Sequence, residues 1–232
     1  ISLGLVGSEM CIRDRYRHLF LAQVIALIGT GLITIALALQ AYDIAKGEAA
    51  QVLGIALAIK MIAYIGVAPI ASAFAERLPR KKVLVGLDII RALTALCLPF
   101  VTQIWQIYIL IFILQSASAA FTPTFQAMIP DVLPEEKDYT NALSLSRLAY
   151  DLENIISPML AGFLLGFISY HNLFLGTVIG FIGSALFVVS AKLPAAKVPV
   201  FKGVYYRIKQ GTKIYFNTPR LKALLALSLI HI

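Results

Sequence analysis

Six stretches of this chain are long and apolar enough to cross a bilayer, whose hydrocarbon core of about 30 Å takes about 20 mostly apolar residues in a helix. They run from Leu19 to Ala41, Val52 to Phe74, Val83 to Val101, Ile107 to Phe125, Leu143 to Ser169 and Leu173 to Ala191, and a seventh begins near Leu221. Of the 232 residues 59% are hydrophobic and 14% charged, against about 25% charged in a soluble domain. So few charges could not solvate a globule of this size, which excludes a water-soluble fold and makes lipid the solvent. The expected fold is all-α: a polytopic membrane helical bundle with six transmembrane helices plus the start of a seventh.

Loop charge sets the orientation. The connections Tyr42 to Gln51, Thr102 to Gln106 and Tyr170 to Asn172 contain Lys46 as their one Lys or Arg. The second-to-third connection carries Arg77, Arg80, Lys81 and Lys82, and Lys192 to Lys222 holds eight basic residues with no acidic one. The basic connections belong inside, which puts the N-terminus in the cytoplasm and the protein in the plasma (inner) membrane as a multi-pass protein. The acidic loop Pro130 to Asp138 is cytoplasmic by parity, since Asp and Glu carry little topological weight. The excess of 20 Lys+Arg over 12 Asp+Glu, +8 in all, is thus loop charge and calls for no nucleic acid. Within the last basic stretch Phe201, Val204, Tyr205, Ile208 and Tyr215 recur near helical spacing, as in an amphipathic helix lying on anionic lipid. Cys11 and Cys97 lack metal-ligand spacing, and Cys97 reads as a buried free thiol in an apolar run.

Residues 1–15 resemble translated adapter sequence, as do residues 227–232, and both are set aside as non-native. The expected organisation is a leader over 1–15, a six-helix domain over 16–191, a cytoplasmic linker over 192–220 and a truncated seventh helix over 221–232.

The segment from Ser72 to Leu84 resembles the signature between the second and third helices of the major facilitator superfamily, G-x-L-a-D-R-x-G-R-R-K. Glu76 stands at the acidic position and Arg77, Arg80, Lys81 and Lys82 at the basic ones, while Ser72 and Pro79 replace the two glycines. The resemblance implies a loop that stabilises one conformation of a transport cycle through charge-assisted bonds to neighbouring helices; the alternative role is topology anchoring alone. In the fifth span Ser157, Pro158, Ala161 and Gly162 are similar to the G-P-x-x-G-G motif of proton-linked antiporters in that superfamily. Pro158 removes an intrahelical bond and the small residues allow close helix approach, so a kinked pivot is expected. Asp88 to Arg91, Ala119 to Pro130 and Thr140 to Leu143 are similar to the macrolide and enterobactin exporter branch. The similarity covers about residues 19 to 226 and implies the first six of twelve helices, with a C-terminal six-helix half as partner. One departure is that no arginine lies between Ile107 and Phe125, where many proton-coupled members carry one.

Ionisable groups inside spans are functional candidates by default. Lys60, about 12 Å into its span, either snorkels outward or faces a cavity, where it pairs with a carboxylate or receives an anionic group. Asp88 and Arg91 are three apart, share a helix face near the inner end of the third span, and read as a structural ion pair. Arg147 and Asp151 are four apart and adjacent, whereas Glu153 points about 200° from Asp151. The fifth span would place Asp151 and Glu153 in the inner third, and Glu153 becomes the first candidate for proton coupling. Gln23, Gln40, Gln115 and Asn154 either line a substrate cavity or join helices by hydrogen bonds, and the second is expected of each. Tyr64 and Phe121 could contact an amphipathic substrate, and Trp105 and Tyr108 belong to an interfacial belt.

No Walker A loop, H-E-x-x-H pair, G-x-S-x-G elbow or Rossmann fingerprint occurs, so neither catalysis nor a cofactor is expected. The reading is a secondary transporter that exports amphipathic small molecules such as a drug, macrolide or siderophore, by antiport with protons, in the lipid bilayer. The rivals are a non-transporting membrane scaffold and a lysophospholipid or nutrient carrier of the same superfamily.

Overall fold

The structure, a computed structural model, describes residues 2–45, 47–75, 78–191 and 217–219, and for 2–15 and 72–75 the backbone path alone. Its helices are α1 (Ser2–Ala45), α2 (Ala49–Ala75), α3 (Arg80–Cys97), α4 (Ile104–Val132), α5 (Glu136–Leu165) and α6 (Tyr170–Ser190), with a 3-10 turn at Leu98–Phe100 after α3. No strand occurs among the described residues. All six helices carry a stretch long and apolar enough to span a membrane, Tyr16–Ala45 in α1 and Ala49–Ala71 in α2 among them. The fold is the all-α membrane bundle that hydropathy implied.

Local chemistry sets several boundaries. Gly47 turns the chain between α1 and α2 with φ +119°, a conformation that a Cβ would strain. α3 ends at Cys97 because Pro99 has no N–H to give to the Ala95 carbonyl, and the chain tightens into the 3-10 turn. At the start of α4 the Gln103 and Gln106 side chains cap each other's backbone in a capping box. Two expected boundaries are corrected. α4 continues seven residues past Phe125, to Val132, through Pro123 and Pro130, because Phe125, Met128, Ile129 and Val132 are still buried against the bundle. α5 begins at Glu136 rather than Leu143, so the acidic connection shrinks to Leu133–Glu135.

The packing is a ring of pairs rather than a single layer: α1 lies on α6 and α5, α2 on α4, and α3 on both α4 and α6. The α1–α6 contact is the most extensive, and it is close where Gly29 and Gly180 face each other: a Cβ on Gly180 would stand 3.3 Å from the Gly29 Cα. Small residues let helix backbones approach in lipid, where no hydrophobic force draws them together. Thr177 adds a cross-helix bond from its Oγ1 to the Gly29 carbonyl, 3.0 Å. One apolar cluster joins Leu32, Ala36, Leu98, Leu114 and Phe174, and a second joins Leu19, Leu84, Phe121, Phe125 and Val188. Large apolar side chains such as Ile65, 76% exposed, and Met159, 70% exposed, point away from the bundle, as lipid-facing residues do. α2 and α5 bury least of the six, and between them and α1 and α4 the bundle leaves an opening.

Candidate functional site

That opening is a cavity of about 570 Å³ inside the bundle. Its walls follow from helical periodicity. On α1, Gln23, Thr30, Gly31 and Thr34 are spaced i, i+7, i+8, i+11 and line one wall. On α5, Ser146, Tyr150, Glu153, Asn154 and Ser157 repeat that spacing on the wall beside it. α2 contributes Lys60, Met61 and Tyr64, α4 contributes Gln115, Ser118, Phe121, Thr122 and Gln126, and α3 reaches in with Arg91. The polar stripe on each of these apolar helices thus faces the same space.

Lys60 stands on the cavity wall near the middle of its span, about 16 Å from Ala49 at 1.5 Å per residue. Glu153, on α5, is within electrostatic reach of it. The Glu153 carboxylate also approaches α1, with Oε1 3.5 Å from where a Cβ on Gly31 would stand. Gly31 is about 22 Å along the helix from Tyr16, halfway along the apolar stretch Tyr16–Ala45, so Glu153 lies beside the middle of that stretch rather than its first third. Position along an isolated helix does not fix a residue's level in the bundle; the helices packed against it do. Asp151 and Glu153, despite pointing apart on α5, both line the cavity. Arg147 and Asp151 pair at 3.7 Å with side chains 80% and 59% exposed, a solvated pair of little energetic weight.

Asp88 and Arg91 form an ion pair buried in the bundle, Asp88 with no exposure and Arg91 with 3%. The pair is not at the inner end of α3: Arg91 is about 16 Å from Arg80, halfway through the span. Ser184 of α6 donates to Asp88 Oδ2 at 2.7 Å. The Arg91 guanidinium carbon is 4.1 Å from the Phe121 ring centroid and 4.6 Å from that of Phe181, close enough for cation–π attraction. The pair therefore ties α3, α4 and α6 together behind the cavity while Arg91 forms part of its wall.

At the expected cytoplasmic end, Glu76 and Arg77 lie outside the described residues. Arg80 donates to Asp131 and to the Ala127 carbonyl of α4. Lys81 donates to the carbonyls of Val189, 2.6 Å, and Ala191, 2.9 Å, where α6 ends. Cations so placed satisfy carbonyls that a helix end leaves unpaired and complement its dipole. Lys82 is exposed. These contacts give Arg80 and Lys81 a packing role beyond topology.

Of the antiporter-like motif, Ser157 is 1% exposed and abuts Gly31 so closely that a Cβ there would overlap its Cβ and Oγ. Pro158 lines the cavity, and α5 runs through it as one helix. Ala161 is buried in the apolar cluster, whereas Gly162 has open space before it. Gln40 joins helices as expected, its Nε2 donating to the Leu98 carbonyl at 2.6 Å. Gln23 does so through Ser146, 2.7 Å. Gln115 and Asn154 instead line the cavity, the latter bonded within its own helix to the Tyr150 carbonyl. Tyr64 and Phe121 line it too, and Trp105 and Tyr108 do not. Trp105 is 57% exposed.

Sequence reasoning missed Tyr150, bonded to Thr122 at 3.1 Å, the α1 threonines, and Ser184 as the partner of Asp88. The signal was present: a polar residue recurring every three or four positions in an apolar helix marks a shared face. Among the described residues no group of three or more His, Cys, Asp or Glu could hold a metal. What the site offers is a concave, partly open surface, mixed polar and aromatic, with charges of both signs.

Comparison with known proteins agrees with this architecture. Residues 19–231 match the family model of the Major Facilitator Superfamily. An uncharacterized MFS-type transporter of Bacillus subtilis, YfiS, is 28% identical over 158 residues, covering 66% of this chain and 38% of that protein. Macrolide efflux protein A of Streptococcus pyogenes is 24% identical over 185 residues, 78% of this chain and 45% of that protein. The Enterococcus faecalis protein of the same name is 26% identical over 150 residues, 62% and 46% of the two chains. The chain thus spans less than half the length of these relatives. Helical architecture, intramembrane cavity and family match together make this chain a member of the Major Facilitator Superfamily of membrane transporters.

Proposed function

We propose that this chain is the six-helix N-terminal half of a secondary active transporter that exports amphipathic small molecules in exchange for protons, rocking against a second six-helix half in the plasma (inner) membrane. The observation that carries the reading is the cavity of about 570 Å³, walled by Lys60 of α2 and Glu153 of α5 near mid-membrane and by the aromatic rings of Tyr64 and Phe121. Charges held inside a bilayer are costly and persist where they face a cavity and do work. Two relatives bear the name macrolide efflux protein, which supports export and an amphipathic cargo.

In this reading Glu153 is the coupling carboxylate. Asp88 is committed to Arg91 and Ser184, and Asp151 sits in a solvated pair with Arg147; Glu153 alone faces both the cavity and the α1–α5 seam. Exchange requires proton and substrate to be carried in opposite states: Glu153 is ionised, within the field of Lys60, while the substrate is bound, and takes up a proton once it has left, so proton and substrate occupancy alternate. The cationic segment Glu76, Arg77, Arg80, Lys81 and Lys82 lies on the cytoplasmic side and holds the inner end in one conformation. Ser157, Pro158, Ala161 and Gly162 form the pivot at which α5 bends.

The test uses the complete reading frame reconstituted in proteoliposomes with an imposed proton gradient. Glu153→Gln should retain substrate binding and lose gradient-driven export; full retention of proton dependence would remove Glu153 from the mechanism. Six further spans in the extended frame are expected, and a soluble domain or an early stop would contradict the two-half architecture.

A further inference from the structure

Three polar side chains on the cavity wall, Gln23, Arg91 and Ser157, are buried and incompletely bonded, and two of the three leave a nitrogen donor unpaired. Gln23 of α1, 1% exposed, accepts from Ser146 at its Oε1, and its Nε2 has no partner among the described residues. Arg91 of α3, 3% exposed, spends Nη2 on Asp88, while its Nε has no partner among the described residues. Both residues line the same cavity. Nearly all buried donors in folded proteins are bonded, and an unpaired one is costly. Two on one cavity wall therefore point to a group that accepts from them when the site is filled.

The chemistry of that group is narrowed by what surrounds it. Asp88 already balances the Arg91 charge, and the Gln23 amide is neutral, so no further negative charge is called for. Leu27 lies on the same wall as Gln23, and the Phe121 ring covers the guanidinium, so the surroundings are apolar and aromatic. Both unpaired groups are N–H donors and call for an oxygen acceptor.

We infer that Gln23 and Arg91 form a subsite for an uncharged oxygen acceptor, an ester, ketone or amide carbonyl, on the apolar frame of the transported amphiphile. The subsite rests on the proposed role of the cavity as the substrate site and adds the chemical class it selects. Asp88 and Ser184 act as positioning residues: Asp88 holds the guanidinium through Nη2, and Ser184 holds Asp88. A substrate lacking the oxygen would leave both donors unpaired and be rejected for that reason.

The experiment measures equilibrium binding of two probes to the 232-residue chain in lipid nanodiscs, below their micelle concentrations. Lauroylcholine and tetradecyltrimethylammonium share charge and approximate length and differ in the ester. Wild type should bind lauroylcholine about tenfold more tightly, the worth of one well-placed hydrogen bond. Gln23→Met, which keeps volume, and Arg91→Lys, which keeps charge and removes Nε, should each erase most of that preference while changing tetradecyltrimethylammonium binding less than twofold. Gln23→Met carries the test alone if Arg91→Lys disturbs folding. Equal affinity of wild type for the two probes, as expected if water alone satisfies the donors, would overturn the subsite. So would variants that weaken both probes equally. Binding of neither probe to folded wild type would overturn the cavity's role as an amphiphile site, and the subsite with it.

Discussion

Removing the Asp88 charge should destabilise this bundle more than any other single polar change in it. Asp88 has no exposure and receives hydrogen bonds from Arg91 and from Ser184, so its loss strands a guanidinium at mid-membrane. Breaking a buried pair by removing one partner costs about 3–5 kcal/mol. Contact with Phe121 and Phe181 returns about 2 kcal/mol at best, too little to hold Arg91 in place. Asp88→Leu should therefore cost about 3–5 kcal/mol and Ser184→Ala about 1.5–3 kcal/mol, the worth of one hydrogen bond to a charged group. The double variant Asp88→Leu/Arg91→Met should cost less than Asp88→Leu alone, because it removes the stranded cation as well. Circular dichroism during SDS titration in mixed micelles reads wild type, these three variants and the single Arg91→Met that completes the cycle. A loss below about 1 kcal/mol for Asp88→Leu, or a double variant as unstable as the sum of its parts, would refute the view that the pair is a mutually dependent buried unit.

Gly31→Ala should cost about 1–3 kcal/mol by overpacking, because the added Cβ meets the Ser157 Cβ rather than a flexible tip; adding Ser157→Gly should recover most of the loss, and its failure to do so in the same titration would place the strain elsewhere. Arg80→Gln, which removes the bonds to Asp131 and Ala127, should cost about 1 kcal/mol and speed hydrogen exchange in the last turns of α4 while leaving α2 unchanged. In oriented vesicles Lys82→Cys should react with an impermeant thiol reagent from the cytoplasmic side and Asn172→Cys from the other; reaction of both from one side would contradict the topology.

The helix count was legible because a membrane span is announced by apolar length alone, which tertiary context does not override. Helix ends were less so. The last turns of α4 carry Gln126, Pro130 and Asp131 and look like loop, and they stay helical because Met128 and Ile129 pack inward and Arg80 bonds across from α3. The candidate site was partly visible: Lys60, Asp88, Arg91 and Glu153 stood out as ionisable groups in apolar runs. Their depth did not, since it depends on which helices lie together; the α1–α5 seam brings Glu153 to Gly31 and lifts it from the inner third. The second partner of Asp88 was out of reach for the same reason, because Ser184 lies 96 residues away on α6 and becomes a neighbour only when α3 and α6 pack.

Water access to the cavity is the most direct test of a polar chamber inside a lipid-dissolved bundle. With Cys11 and Cys97 replaced by serine, single cysteines are placed at Thr34 on the cavity wall and at Leu186, 64% exposed on the apolar face of α6. In proteoliposomes a charged methanethiosulfonate reagent should modify Thr34→Cys readily, more slowly when an amphipathic ligand is present, and should leave Leu186→Cys untouched. Equal protection of the two positions, or ready modification of Leu186→Cys alone, would contradict a water-filled substrate chamber between α1, α2, α4 and α5.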